Sequence, residues 1–166
     1  MPNQTIRPYD EAALRRSFDV ARKAREGGDH PFGSVLTDET GTVLMEQGNG
    51  YSSEGGDRTA HAERLLASRA ARAYPLERLA HFTLYTSAEP CAMCAGAIYW
   101  AGIGRVVFGQ TERGLKEQTG DHDENPTLDL PCEIVFAAGQ RSTEVVGPLL
   151  EDEARQLQAD FWAEKS

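Results

Sequence analysis

No stretch of this sequence approaches the roughly 18 consecutive apolar residues that a membrane-spanning helix needs, and the first residues, MPNQTIRPYDE, lack the apolar core of a secretory signal. A soluble, cytoplasmic protein is therefore the expectation. Cysteine is scarce as well: three in 166 residues is an odd count, which speaks against a disulfide framework. A chain of this length buries a core without such staples. Basic charge is under-represented, with 17 Lys and Arg against 26 Asp and Glu for a net charge of -9, and nearly all the acidic excess lies beyond residue 110. Phosphate backbones are held by clustered Lys and Arg, so nucleic acid is disfavoured as a partner. Repeats, low-complexity tracts and a break in composition are all missing, and residues 1–166 are expected to form one domain.

What is present alternates between helical and extended patterns. Asp10 is a candidate N-cap for a segment in which Leu14, Phe18, Ala21 and Arg25 fall at helical spacing before Gly27-Gly28. PFGSVLTD and TVLMEQGN, separated by the turn-like DETG, predict two hairpin-connected strands. Residues 60–73 are rich in Ala, Leu and Arg and predict a helix. HFTLYTS predicts a strand, CAGAIYWAG a helix and RVVFG a strand. Residues 110–131 are polar, acidic and turn-rich, and His122 with Asp121 and Asp123 is expected in a solvated loop. CEIVFAAG predicts a last strand that buries the thiol of Cys132, and EDEARQLQADFWAE a last helix with Phe161 and Trp162 packed at its end. This alternation implies an α/β domain whose later strands run parallel, joined by right-handed crossovers.

Two thiols, Cys91 and Cys94, sit three apart where a predicted strand passes into a predicted helix. A helix start favours thiolates through its dipole and free N–H groups, which suits a redox pair, half of a structural zinc knot, or a catalytic metal site. The other predicted helix start discriminates, because "TAHAERLL" places His61 and Glu63 there. A redox disulfide needs neither. One imidazole and two thiolates form a soft set that suits zinc and leaves one tetrahedral position open for water. Two thiolates offset the charge of the ion and leave the water less acidified, so a nearby base helps, and Glu63 is placed to be that base.

His-Ala-Glu at 61–63 followed by Pro-Cys-Ala-Met-Cys at 90–94 resembles the zinc-binding signature of the cytidine deaminase superfamily. The likeness spans roughly residues 10–110 and is greatest for the branch holding guanine, fungal-type cytosine and tRNA adenosine deaminases. "PFG" at 31–33 and "GAIYWA" at 96–101 look like guanine deaminase, and "GIGRVVFG" looks as much like tRNA adenosine deaminase. The resemblance implies a three-layer α/β/α fold around a five-stranded mixed sheet, one Zn2+ ion on His61, Cys91 and Cys94, a homodimer or larger assembly, and hydrolytic deamination. In that chemistry water attacks the ring carbon bearing the exocyclic amine, and Glu63 moves protons to the adjacent ring nitrogen and the departing ammonia. Backbone N–H groups such as that of Ala62 would face the developing oxyanion or a substrate carbonyl. Asn49 matches an asparagine that hydrogen-bonds the base in relatives, and Phe32 and Trp100 match aromatic positions flanking the base in guanine deaminases. The expected substrate is a small nucleobase or nucleoside, nominally guanine. Cytosine or cytidine, the wobble adenosine of tRNA, and a structural zinc module with no activity are the alternatives.

Overall fold

The computed structural model describes residues 4–120 and 122–165. The chain forms α1 (Asp10–Glu26), a hairpin of β1 (Gly33–Thr37) and β2 (Val43–Gly48), α2 (Ala62–Ala73), a short α3 (Leu76–Leu79), β3 (Thr83–Ala88), α4 (Ala92–Ala101) and β4 (Arg105–Gln110). It continues through α5 (Glu112–Thr119), α6 (Cys132–Ala137), β5 (Glu144–Val146), α7 (Glu151–Gln156) and α8 (Phe161–Lys165). One five-stranded sheet results, in the order β2-β1-β3-β4-β5. The strand β1 runs antiparallel to both its neighbours, whereas β3, β4 and β5 are parallel.

Every residue of β1, β3 and β4 is buried, as expected of strands covered on both faces by crossover helices. Period-two alternation sends Leu36, Leu84 and Val106 into one core with Leu66 of α2, Ile98 of α4 and Phe136 of α6. Their neighbours Val35, Tyr85 and Val107 pack on the other side against Leu14 and Phe18 of α1 and Ala154 of α7. The three-layer α/β/α arrangement around a mixed sheet is the one the sequence implied. Among the described residues no helix is long and apolar enough to cross a membrane.

Three local expectations are corrected. Asp10 is not the N-cap of α1, a place held by Tyr9. It is the first helical residue, fully buried, and its carboxylate accepts from both Arg105 Nη atoms at 2.8 and 2.7 Å and from the Tyr85 hydroxyl at 2.6 Å. The segment from Cys132 is not a strand but α6: Pro131 holds the N-cap position and the Cys132 N–H is taken by the Glu89 carboxylate at 2.9 Å, so a tertiary contact outweighs β-propensity. Cys132 is buried as foreseen, yet on a helix, and the last strand is the three-residue β5. The C-terminal helix is likewise two pieces, α7 and α8, separated by a turn in which Asp160 has φ 64°.

One glycine is required for this packing. A Cβ on Gly33 would lie 2.4 Å from the Ala21 amide nitrogen and 2.5 Å from the Ser17 carbonyl oxygen. Only glycine lets α1 lie this close on β1, and that approach fixes the residue before it, Phe32.

The Asp10–Arg105 pair should dominate the stability of the layer under α1. Removing one partner of a buried pair strands the other charge, so Asp10→Ala should cost about 3–5 kcal/mol in denaturant unfolding. Burial alone would raise the Asp10 pKa, but Arg105, the Arg7 N–H and the Tyr85 hydroxyl hold it below its ordinary 3.8. The pair's stabilisation is thus complete above that value and lost as pH falls through the lower folded value. Wild-type protein should show this acid-limb loss, and Asp10→Ala should lack it.

Candidate active site

At the carboxyl end of β3 the chain passes through Glu89 and Pro90 to Cys91, which caps α4 in an extended conformation (φ -66°, ψ 172°). Cys94 follows in the first turn. His61 stands in the same relation to α2, extended at φ -71°, ψ 146°. The two helix starts converge: His61 Nδ1 lies 3.6 Å from Cys91 Sγ and 3.5 Å from Cys94 Sγ, and the three ligand atoms are all within 4.8 Å of one another. Zinc bond lengths of roughly 2.0–2.1 Å to nitrogen and 2.3 Å to sulfur, at tetrahedral angles, put N and S about 3.6 Å apart. The donor set fits zinc in type and spacing. It is the one such cluster of three or more candidate ligands among the described residues.

The electrostatics agree with a metal centre. The neighbouring Cys94 thiol, against the effect of burial, and His61 hold the Cys91 thiol down at about 4. Cys91 and then burial push Cys94 well above its ordinary value. One proton is thus confined between two sulfurs, and a bound zinc ion would displace it. Glu63 is buried, and burial, only partly countered by His61, pushes it up to about 7. Its Oε1 accepts from Ser34 Oγ on β1 at 3.4 Å.

Above this floor lies a cavity of about 280 Å³. His30, Phe32, Asn49 and Tyr51 form one wall, and Glu89, Glu112 and Leu115 another, with Glu124, Asn125 and Leu128 closing over from the segment after α5. Asn49 is buried and its Oδ1 accepts the Tyr51 N–H at 2.8 Å, which fixes the amide at the wall. Ala62, the first residue of α2, is fully buried, and its side chain is not on the cavity wall. Trp100 is not brought to the cavity and is 78% exposed. Helical phase explains the difference: six residues beyond Cys94, at about 100° and 1.5 Å per residue, it faces away from the ligand and sits roughly 9 Å along the axis.

Several wall residues are ones that sequence reasoning passed over. His30 is buried; it stacks on Tyr51 with centroids 4.5 Å apart and places Nε2 3.2 Å from Glu124 Oε1. Phe161 and Trp162 meet it edge-on at 5.9 and 5.0 Å, and Trp162 stands 6.2 Å from Phe32. The C-terminal aromatics thus back the cavity wall. His122, expected in solvent, is 5.1 Å from the Trp162 ring, while Asp121 lies outside the described residues. Glu112 follows β4 as Glu89 follows β3, so the tendency of ligands to gather at the carboxyl ends of parallel strands was an available signal for it. For His30 and Glu124 no local signal exists, because each acquires its place through the other.

Residues 7–110 match the cytidine and deoxycytidylate deaminase zinc-binding region. A probable cytosine deaminase of Schizosaccharomyces pombe is 40% identical over 163 residues, covering 98% of both chains. A tRNA-specific adenosine deaminase of Haemophilus influenzae is 39% identical over 104 residues, which cover 63% of this chain and 60% of that protein. Among solved structures, a guanine deaminase from Nitrosomonas europaea superposes with a TM-score of 0.72 at 25% identity over 98% of this chain and 88% of that one.

Metal analysis should find one zinc per chain. Cys132→Ser should retain it, whereas His61→Ala or Cys94→Ala should lose it. Loss of zinc from the Cys132 variant would mean a closed, four-ligand structural site.

Proposed function

This chain belongs to the cytidine and deoxycytidylate deaminase family, and from that premise we propose that it hydrolyses the exocyclic amine of a free nucleobase, guanine first. The observation that carries this reading is the cavity of about 280 Å³ with His61, Cys91 and Glu63 on its floor. It is at the small end of ligand sites, which run from roughly 300 to 1,000 Å³, and it suits a flat ring better than a nucleotide.

Zinc on His61, Cys91 and Cys94 supplies activation of a water molecule when bound. The chain's own groups do the rest. Glu63 takes the proton of the attacking water at its carboxylate, delivers it to the ring nitrogen beside the attacked carbon, and then carries a second proton to the amine as it departs. Phe32 and the stacked His30–Tyr51 pair confine the ring, and Asn49 presents a fixed amide to its edge. Glu124 adds carboxyl oxygens to the wall. Guanine has more N–H donors than cytosine to offer such a wall, which is the reason for placing it first. Cytosine is the second reading, favoured by the whole-length match to the S. pombe protein.

Transfer RNA fits poorly. The segment LLEDEARQLQADFWAEK carries five acids and two bases, and the arginines of α1 are already engaged. Arg15 pairs with Glu153 at 3.0 Å, Arg16 with Glu46, and Arg22 with Asp19 at 2.8 Å. Arg25 donates to the carbonyls of Leu157 and Ala159. Little cationic surface is left on that helix for phosphates. A homodimer belongs to the same reading: α4 carries no charged residue yet exposes Trp100, as a helix face awaiting a second copy would.

Ammonia release across a panel of bases, nucleosides and an anticodon stem-loop tests this reading. Guanine should be turned over best, nucleosides poorly and RNA not at all. Conversion of adenosine to inosine in the stem-loop, with free bases untouched, would overturn it. In the same assay Glu63→Ala should keep its zinc and lose on the order of 10²- to 10⁴-fold in turnover.

A further inference from the structure

One buried acid at the cavity has no part in the chemistry assigned to Glu63. Glu112, the first residue of α5, is 6% exposed. Its backbone N–H is held by Glu89 Oε1 at 2.9 Å, but its carboxyl group has no hydrogen bond or ion pair among the described residues. That carboxyl stands on a boundary. Behind it lies a second, more open cavity of about 500 Å³, and Glu89 and Glu112 are the two residues that line both spaces. Glu89 is committed elsewhere, since its oxygens take the N–H groups of Glu112 and Cys132, each at 2.9 Å. Glu112 is therefore the group on this wall with a carboxyl free to act on both sides.

The outer cavity is lined by more acids than bases. Glu117, Asp129, Glu133 and Glu151 line it against Arg113 and Arg155. Arg113 at 3.6 Å and Lys116 at 3.5 Å pair with Asp129, and Arg155 at 3.5 Å with Glu117, which leaves the charges of Glu133 and Glu151 to set a negative potential. Deamination makes a small cationic product in an awkward place. Ammonia leaves the carbon that faces the floor, so the deaminated base stands between it and the mouth, which the segment from Glu124 to Leu128 borders.

We propose that Glu112 is the gate through which ammonia leaves. The protonated carboxyl passes its proton to ammonia, giving ammonium and the Glu112 carboxylate; ammonium moves into the acidic outer cavity, and a proton from solvent restores the acid. The cycle consumes one proton from bulk and needs no other reactant. Burial in this wall pushes the Glu112 carboxyl up, which favours the donor form. The inference rests on the deaminase reading but not on which base is used.

Rapid-quench kinetics on zinc-loaded, full-length protein, with whichever substrate the wild type deaminates, tests it. Glu112→Gln should release one equivalent of deaminated base per site at the wild-type rate, followed by steady turnover roughly tenfold or more slower. Glu112→Asp should recover part of the steady rate. Glu133→Lys, at an exposed position of the outer cavity and away from the fold's core, should slow the steady phase severalfold and spare the first turnover. A steady rate within about twofold of wild type in both Glu112→Gln and Glu133→Lys would overturn the gate. So would an equal loss in the first turnover, which would make Glu112 part of the chemical step. A wrong base assignment would show separately, as a different preferred substrate of the wild type.

Discussion

The N-termini of α2 and α4 meet at the carboxyl edge of the sheet, and the like ends of two helix dipoles repel unless negative charge lies between them. Cys91, whose thiol is held down at about 4, supplies a thiolate there, and a metal ion on His61, Cys91 and Cys94 would tie the two helix starts to one point. The arrangement dictates a good deal else. Both helices must start directly at the ligand-bearing residue, so His61 and Cys91 take extended cap conformations. The first turns must be small enough to pack close, which the alanines at 62, 92 and 95 allow.

The sheet keeps these two starts in register, and its interior contains a polar anchor. Arg105 of β4 and Tyr85 of β3 both bond to Asp10 of α1, tying two parallel strands to the helix beneath them. Such a pair is costly to desolvate and costly to break, so it specifies one arrangement of layers more than it adds net stability. On the functional edge Glu89 plays the corresponding part. One carboxylate accepts from the first N–H of α5 and the first N–H of α6, satisfying two helix starts at once and placing Glu112 and Cys132 where they are. A rigid wall of acids next to a metal centre follows from that junction.

The closing side of the cavity is assembled differently. His30, Tyr51, Glu124, Phe161 and Trp162 come from four separate parts of the chain and meet through ring stacking, edge contacts and a His–carboxylate contact. This side is more dispersed in sequence than the floor and depends on the path of the whole second half of the chain. The floor, by contrast, draws its three candidate ligands from two helix starts.

That division also governs what was legible beforehand. Metal ligands and their proton carrier must be particular residue types at short fixed spacings on helix starts, so His61, Glu63, Cys91 and Cys94 announce themselves in one dimension. Phe32 and Asn49 were reachable because they flank the paired start of β1 and end of β2, beside those helix starts. Trp100 misled because a motif match ignores helical phase, and Cys132 because a β-branched, aromatic segment was captured as a helix by a distant carboxylate. The His30–Glu124 contact, 94 residues apart in sequence, has no local signature at all. The sequence by itself determined the metal, the reaction class and the layered fold, since those rest on residue type and periodicity. Only the tertiary structure decided the size of the cavity, its acidic wall and the aromatic closure, because these exist only where distant loops are brought together at the end of the sheet.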